Sequence, residues 1–180
     1  MNEKLVYDPG HGGPDDGAVY GAAEEDDLNL SIANLCFYMS QLKGFKVDIT
    51  RDRDEKVELW ERTDISNDIR PDAFISIHCD AFHKKTVNGM TVHVHPRASK
   101  TSRRLAQNVM ASMAETFQNL RNRGVKESDF HVLRETNEPA ILIECGFLSN
   151  SKERKFLQEP HNQHDMAGAI VRGVQKTFKK

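Results

Sequence analysis

Two short apolar runs, Phe74-Ile75-Ser76-Ile77 and Ala140-Ile141-Leu142-Ile143, each stop at a polar residue, His78 and Glu144. Runs this brief and this apolar suit strands covered on both faces, the condition of central strands in a parallel sheet. Further strand signals lie at 5–8, 45–50 and 90–95, with a weak fifth strand at 131–133. Helical stripes alternate with them. Leu28, Ile32, Leu35, Met39 and Leu42 step by four and three, and so do Leu105, Val109, Met113, Phe117 and Leu120. A third stripe runs through Met166, Ile170, Val174 and Phe178, and a shorter helix is expected over 58–67. Asn150 with Glu153 makes a capping-box pattern ahead of a helix ending near Leu157. Alternation of this kind from end to end argues an α/β fold with a largely parallel sheet.

Size and charge narrow the function classes. The 180 residues suffice for one domain with a substantial core, and neither repeat nor linker interrupts them. A net charge of −2, with lysines and arginines dispersed, lacks the basic stripe of a nucleic-acid binder. No apolar stretch approaches the roughly 20 residues a membrane helix needs, so membrane insertion is not expected. Met1-Asn2-Glu3-Lys4 runs straight into the first strand and leaves no room for a signal peptide. The expectation is a chain made soluble in the cytoplasm, or a domain cut from a longer protein. Cys36, Cys79 and Cys145 cannot all pair and read as reduced and buried.

Chemistry concentrates at the ends of the apolar runs, where open α/β sheets place their crevice. His11 sits in the turn Asp8-Pro9-Gly10-His11-Gly12-Gly13, whose glycines let the backbone bend sharply. Alone, such a residue is an ordinary loop histidine. His78 closes a buried strand, where either a satisfied core-edge imidazole or a ligand would fit. Glu24, Glu25, Asp26 and Asp27 stand at a helix start, and each could equally be a cap or a dipole partner. Glu144 is the sharpest residue, because a carboxylate after three large apolar side chains is costly unless a cation lies near. Two imidazoles, a carboxylate ligand and a second carboxylate as base are the parts of a catalytic zinc hydrolase. Cys79 and Cys145 follow His78 and Glu144, so strand alternation turns their thiols away from the metal. His93 and His95 share a strand face and could imitate a metal pair, yet they lack a third ligand.

With those residues assembled, the chain resembles the zinc-dependent N-acetylmuramoyl-L-alanine amidases of the amidase-3 type, found as autolysins and phage endolysin domains. The resemblance runs from Val6 to about Thr177. It is carried by Asp8-Pro9-Gly10-His11-Gly12-Gly13, Glu25-Asp26-Asp27-Leu28-Asn29-Leu30, Thr50-Arg51-Asp52 and Leu59-Trp60-Glu61-Arg62. Ser76-Ile77-His78-Cys79-Asp80-Ala81, Arg123-Gly124-Val125-Lys126, Phe130-His131-Val132-Leu133-Arg134 and Pro139 through Asn150 complete it. It implies a single domain over residues 1–180, with a twisted, mostly parallel sheet of about six strands and helices on both faces. It implies one catalytic Zn2+ held by His11, Glu25 and His78, with Glu144 as catalytic glutamate, and it selects Glu25 over its acidic neighbours. The implied reaction is hydrolysis of the amide between the lactyl group of N-acetylmuramic acid and L-alanine in peptidoglycan. Apart from the resemblance, a monomer is expected.

Two positions depart from the family pattern, Asp26 after the ligand and Cys79-Asp80 after the second histidine. Asp8 is placed to hold a metal-bound imidazole in its tautomer. Arg51 and Arg62 are expected to pair with acidic neighbours, while Arg123 and Arg134 stay open between substrate contact and pairing. Two alternatives stand beside the amidase: a zinc peptidase acting within the stem peptide, and a wall-binding module without turnover. A phage lysin or sporulation-type lytic enzyme fits the missing leader better than a secreted autolysin.

Overall fold

The computed structural model describes residues 2–179. Six strands form one sheet in the order β4-β1-β5-β8-β6-β7. These are β1 (Lys4–Pro9), β4 (Lys46–Ile49), β5 (Ala73–Asp80), β6 (Met90–Val94), β7 (Asn122–Glu127) and β8 (Ala140–Phe147). Every neighbouring pair is parallel except β6 with β8. The helices are α1 (Glu25–Leu42), α2 (Leu59–Ile69), α3 (Lys100–Thr116), α4 (His131–Arg134), α5 (Ser151–Gln158) and α6 (Pro160–Phe178). A two-residue hairpin, β2 (Val19–Tyr20) with β3 (Ala23–Glu24), leads into α1. No helix among the described residues is long and apolar enough to cross a membrane.

The two sheet faces are covered unequally. Tyr7, Ile75, Ile77, Ile141, Ile143 and Val92 point into the main core, where they meet Ile32 and Cys36 of α1, Val109 and Met113 of α3, and Ile170 and Val174 of α6. The opposite face buries a much smaller cluster, Val6, Phe74, Leu142, Val132 and Leu133 with Ile69, beneath α2 and α4. Beyond that cluster the second face stays open. Because side chains alternate along a strand, residues next to the core set must emerge on this open side. His78 and Glu144 are such residues, and the β5–β8 register sets them directly opposite each other.

Two local expectations are corrected. Residues 131–133 are the single turn α4, and the fifth strand is β7, the sheet's edge. Its sequence, Asn122-Arg123-Gly124-Val125-Lys126-Glu127, is largely exposed, so no apolar alternation marks it. The Asn150 side chain does cap α5, accepting from the Lys152 and Glu153 backbone N–H groups. Glu153, however, does not complete the box, since its carboxylate accepts from the Gly89 and Phe147 backbones instead. A reciprocal capping box occurs at α2, between Glu58 and Glu61.

Candidate metal centre and active site

His11 stands just past β1 in a left-handed conformation, φ 61°, which costs a non-glycine residue about 1–2 kcal/mol. Two buried guanidinium groups hold the turn there. Arg51 donates to the carbonyls of Pro9, Gly10 and Asp26, and Arg62 donates to those of Pro9 and His11. Gly12 and Asp15 close the loop with a pair of backbone hydrogen bonds. Gly10 is required sterically, because a Cβ at that position would lie 2.1–2.5 Å from three atoms of the His78 ring.

Glu25 opens α1, yet it is not acting as a cap. Its carboxylate turns toward the sheet, where the backbone N–H groups of Ala18 and Cys79 and the side chain of Asn29 donate to it. Its Oε1 lies 3.3 Å from His11 Nε2 and 3.1 Å from His78 Nδ1. One donor atom from each of the three side chains falls within 4.8 Å of the other two. A tetrahedral ion with bonds of about 2.0–2.1 Å has ligand edges of roughly 3.3 Å, so the two short contacts already match that spacing. The donor set of two nitrogens and one oxygen suits a borderline divalent ion.

Electrostatics agree with the geometry. Hydrogen bonding to Glu25 raises His11 to about 9 against the opposing effect of burial, with Asp15 adding to the rise. Burial would raise the Glu25 carboxyl, but the two imidazoles outweigh it and hold it far below the usual range. His11 therefore holds a proton where a divalent cation would put charge instead.

Glu144 lies across from His78 on β8, partly buried, its Oε2 lacking a hydrogen-bond partner among the described residues. Burial pushes its carboxyl well up, and the charges of Asp80 and Glu25 push the same way. His11, His78, Glu144 and Asp15 open onto one cleft of about 330 Å³, walled by Val57, Leu59 and Phe130. An orphaned carboxylate of raised basicity beside a metal-type donor cluster has the properties of a general base.

Other expectations resolve plainly. Asp8 does not touch an imidazole. Its carboxylate is taken by the Thr50 and Ser76 hydroxyls and by Arg62, at 2.7, 2.7 and 2.8 Å. The residue on the outer nitrogen of His11 is Asp15, with Oδ2 at 2.9 Å from Nδ1. Its sequence signal was a carboxylate four residues past the histidine in a glycine-rich turn. Arg62 pairs with an acid as expected, whereas Arg51 serves carbonyls. Arg134 is engaged by Asp129 and Glu135. Cys79 and Cys145 are fully buried on the core side. His93 and His95 bind Ser128 and Asp129 separately and form no pair.

Comparison with known proteins adds ancestry. Residues 5–176 match the family model described as N-acetylmuramoyl-L-alanine amidase. A probable cell wall amidase, LytH of Staphylococcus saprophyticus, is 34% identical over 182 residues, covering 99% of this chain and 60% of that protein. The chain thus spans only about 60% of the length of that relative. The N-acetylmuramoyl-L-alanine amidase of Clostridium difficile 630 superposes with a TM-score of 0.93 at 35% identity, covering 97% of this chain and 95% of that one. The CwlD amidase of Clostridioides difficile, solved with the GerS lipoprotein, also gives 0.93, at 30% identity over 98% of each chain. By sequence over nearly its whole length and by fold, the chain belongs to the N-acetylmuramoyl-L-alanine amidase family.

Proposed function

We propose that this chain is a zinc-dependent peptidoglycan amidase, cleaving the bond between the lactyl carbonyl of N-acetylmuramic acid and the L-alanine nitrogen. The observation that carries this reading is the meeting of His11, Glu25 and His78 donor atoms beside the unpaired carboxylate of Glu144 in one open cleft. His11, Glu25 and His78 would hold the ion, which when bound supplies a Lewis acid for the scissile carbonyl. All four side chains come from one chain, which supports a catalytic domain that works as a monomer. The substrate is assigned from family membership, since this fold can serve other amide bonds.

The protein's own groups perform the proton chemistry. Glu144 takes a proton from the attacking water at its free carboxylate and returns it to the departing alanine nitrogen. Its raised basicity suits both halves of that transfer. Asp15 fixes His11 so that Nε2 faces inward, and Asn29 with the Cys79 N–H orients Glu25. The apolar wall of Val57, Leu59 and Phe130 keeps bulk water from one flank of the reacting bond.

Digestion of purified peptidoglycan tests the assignment. An amidase releases new L-alanine amino termini without new reducing sugar ends, and a chelator stops the release. New reducing ends, or cleavage confined to later stem-peptide bonds, would replace this reading with a glycosidase or a peptidase.

A further inference from the structure

On the open sheet face the polar row does not stop at Glu144. Thr91 of β6 stands opposite Glu144, and His93, two residues on, follows on the same face. Lys126 of β7 stands opposite His93, and a bulge between β6 and β7 brings Arg123 near Thr91. The geometry points to Arg123 and Lys126 as a recognition site for a carboxylate on the peptide half of the substrate. This inference rests on the amidase reading and extends it from the scissile bond to the leaving group.

Both cations are spare. Neither forms an ion pair with an acidic side chain among the described residues, whereas Arg103, Arg134 and Lys176 all do. Arg123 is nonetheless held in place: its guanidinium sits over the Phe147 ring, 5.1 Å from the centroid, and donates to the Asn88 carbonyl at 3.2 Å. Its Nε is buried and so is not open to a ligand. A guanidinium fixed by stacking, whose Nη2 makes no hydrogen bond among the described residues, is pre-organised for a carboxylate. Lys126 is exposed and adds an unpaired charge beside it.

The group between them does not compete. His93 hydrogen bonds to Ser128 and packs edge-on to Phe130, which lines the catalytic cleft. Burial and then the charges of Lys126, His78 and Arg123 push it down to about 4, so it stands neutral. Asp80 feels both cations but pairs with neither within ion-pair distance. The opposite flank is lined by Val57 and Leu59 together with the charged Lys56 and Glu58.

Distance fits a peptide. The edge strand β7 lies two strand spacings from β8, roughly 10 Å from Glu144. An extended chain covers about 3.3 Å per residue, so the cations face the third residue or so beyond the cleaved bond. The sugar half, uncharged before cleavage, gains nothing from such a site. The substrate is therefore oriented with its peptide toward β7 and its glycan toward the flank of Val57 and Leu59.

The test is equilibrium binding to the zinc-loaded full chain, by calorimetry or by NMR titration. The probe is an alanine-led tetrapeptide with free carboxylates, set against the same peptide with every carboxylate amidated. The free form should bind roughly tenfold more tightly, and Lys126→Gln and Arg123→Gln should each erase much of that preference. Arg123→Lys should restore only part of it. Equal affinity for both peptides in the wild type, or an undiminished preference in Lys126→Gln, overturns the inference. Lys126 is exposed, so its variant remains informative even where Arg123→Gln folds poorly. A carboxylate preference that persists in a protein releasing no alanine termini from wall would count against the amidase reading alone.

Discussion

Asp15 Oδ2 lies 2.9 Å from His11 Nδ1, while the other nitrogen of the same ring faces Glu25 Oε1 at 3.3 Å. The imidazole is thus gripped from outside by one carboxylate and presented inward to another. Fixing the outer nitrogen fixes the tautomer and ring plane of a ligand, and removing such a partner typically costs about 10–100-fold in metal affinity. Asp15→Ala should lower zinc affinity by about that factor in chelator competition. Asp15 is exposed, so the melting temperature of the metal-free protein should barely move. Unchanged affinity would show that the contact is incidental.

Glu144 should separate binding from turnover. Glu144→Gln keeps the shape of the cleft and all three donor residues, so zinc stoichiometry should stay at one by metal analysis. Loss of the proton-transferring carboxylate should lower kcat by about 100–10,000-fold. The same change removes a partly buried charge disfavoured by burial and by the nearby Asp80 and Glu25. The metal-free variant should therefore melt above the wild type, and about 1 kcal/mol of relief corresponds to roughly 2–4 °C at this chain length. Retained turnover would mean that the base is another group.

Much of this was legible in the chain because burial leaves a trace in composition. The runs ending at His78 and Glu144 announced central strands, and the polar residue that ended each run stood out against them. Glu25 was a different case. Four adjacent acids share its helix start, and spacing alone could not choose among them; the family resemblance pointed to Glu25, and its carboxylate meets His11 and His78 in the fold. Asp8 misled for a related reason: proximity in sequence to His11 suggested contact. The strand instead carries its side chain to Thr50, Ser76 and Arg62, residues 42 to 68 positions away. β7 escaped because an exposed edge strand needs no apolar pattern.

The Asp8–Arg62 pair should shape the acid limb of stability. Burial alone would raise the Asp8 carboxyl, but the Arg62 charge and the hydrogen bonds from Thr50, Ser76 and Arg62 outweigh it and hold the group below its ordinary value. A carboxyl depressed in the fold contributes stability that is complete above its unfolded value, near 3.9. That contribution drains away as pH falls through the folded value. At pH 7, Asp8→Asn leaves the Arg62 guanidinium buried without its counter-charge, at a cost of about 3–5 kcal/mol. Thermal melts of the chelated proteins should show the gap between wild type and variant narrowing from about pH 4 toward pH 2. A gap that stays constant across that range would remove Asp8 from the acid response.

Gly10→Ala tests whether the turn and the second histidine are one mechanical unit. The added methyl would occupy the space of the His78 imidazole, and that ring is bounded on its other side by Glu25. The ring must therefore rotate away, since the Gly10 backbone is pinned by Ile77, Asn29 and Arg51. Losing one of three ligands should weaken zinc binding far more than Asp15→Ala does, by well over a hundredfold, because the remaining pair cannot complete the set. Cobalt substitution gives the readout: the tetrahedral absorption of the wild type should collapse in the variant, while far-ultraviolet circular dichroism stays the same. Wild-type cobalt spectra in Gly10→Ala would show that His78 reaches the ion from a different rotamer, and that the close approach of Gly10 serves packing instead.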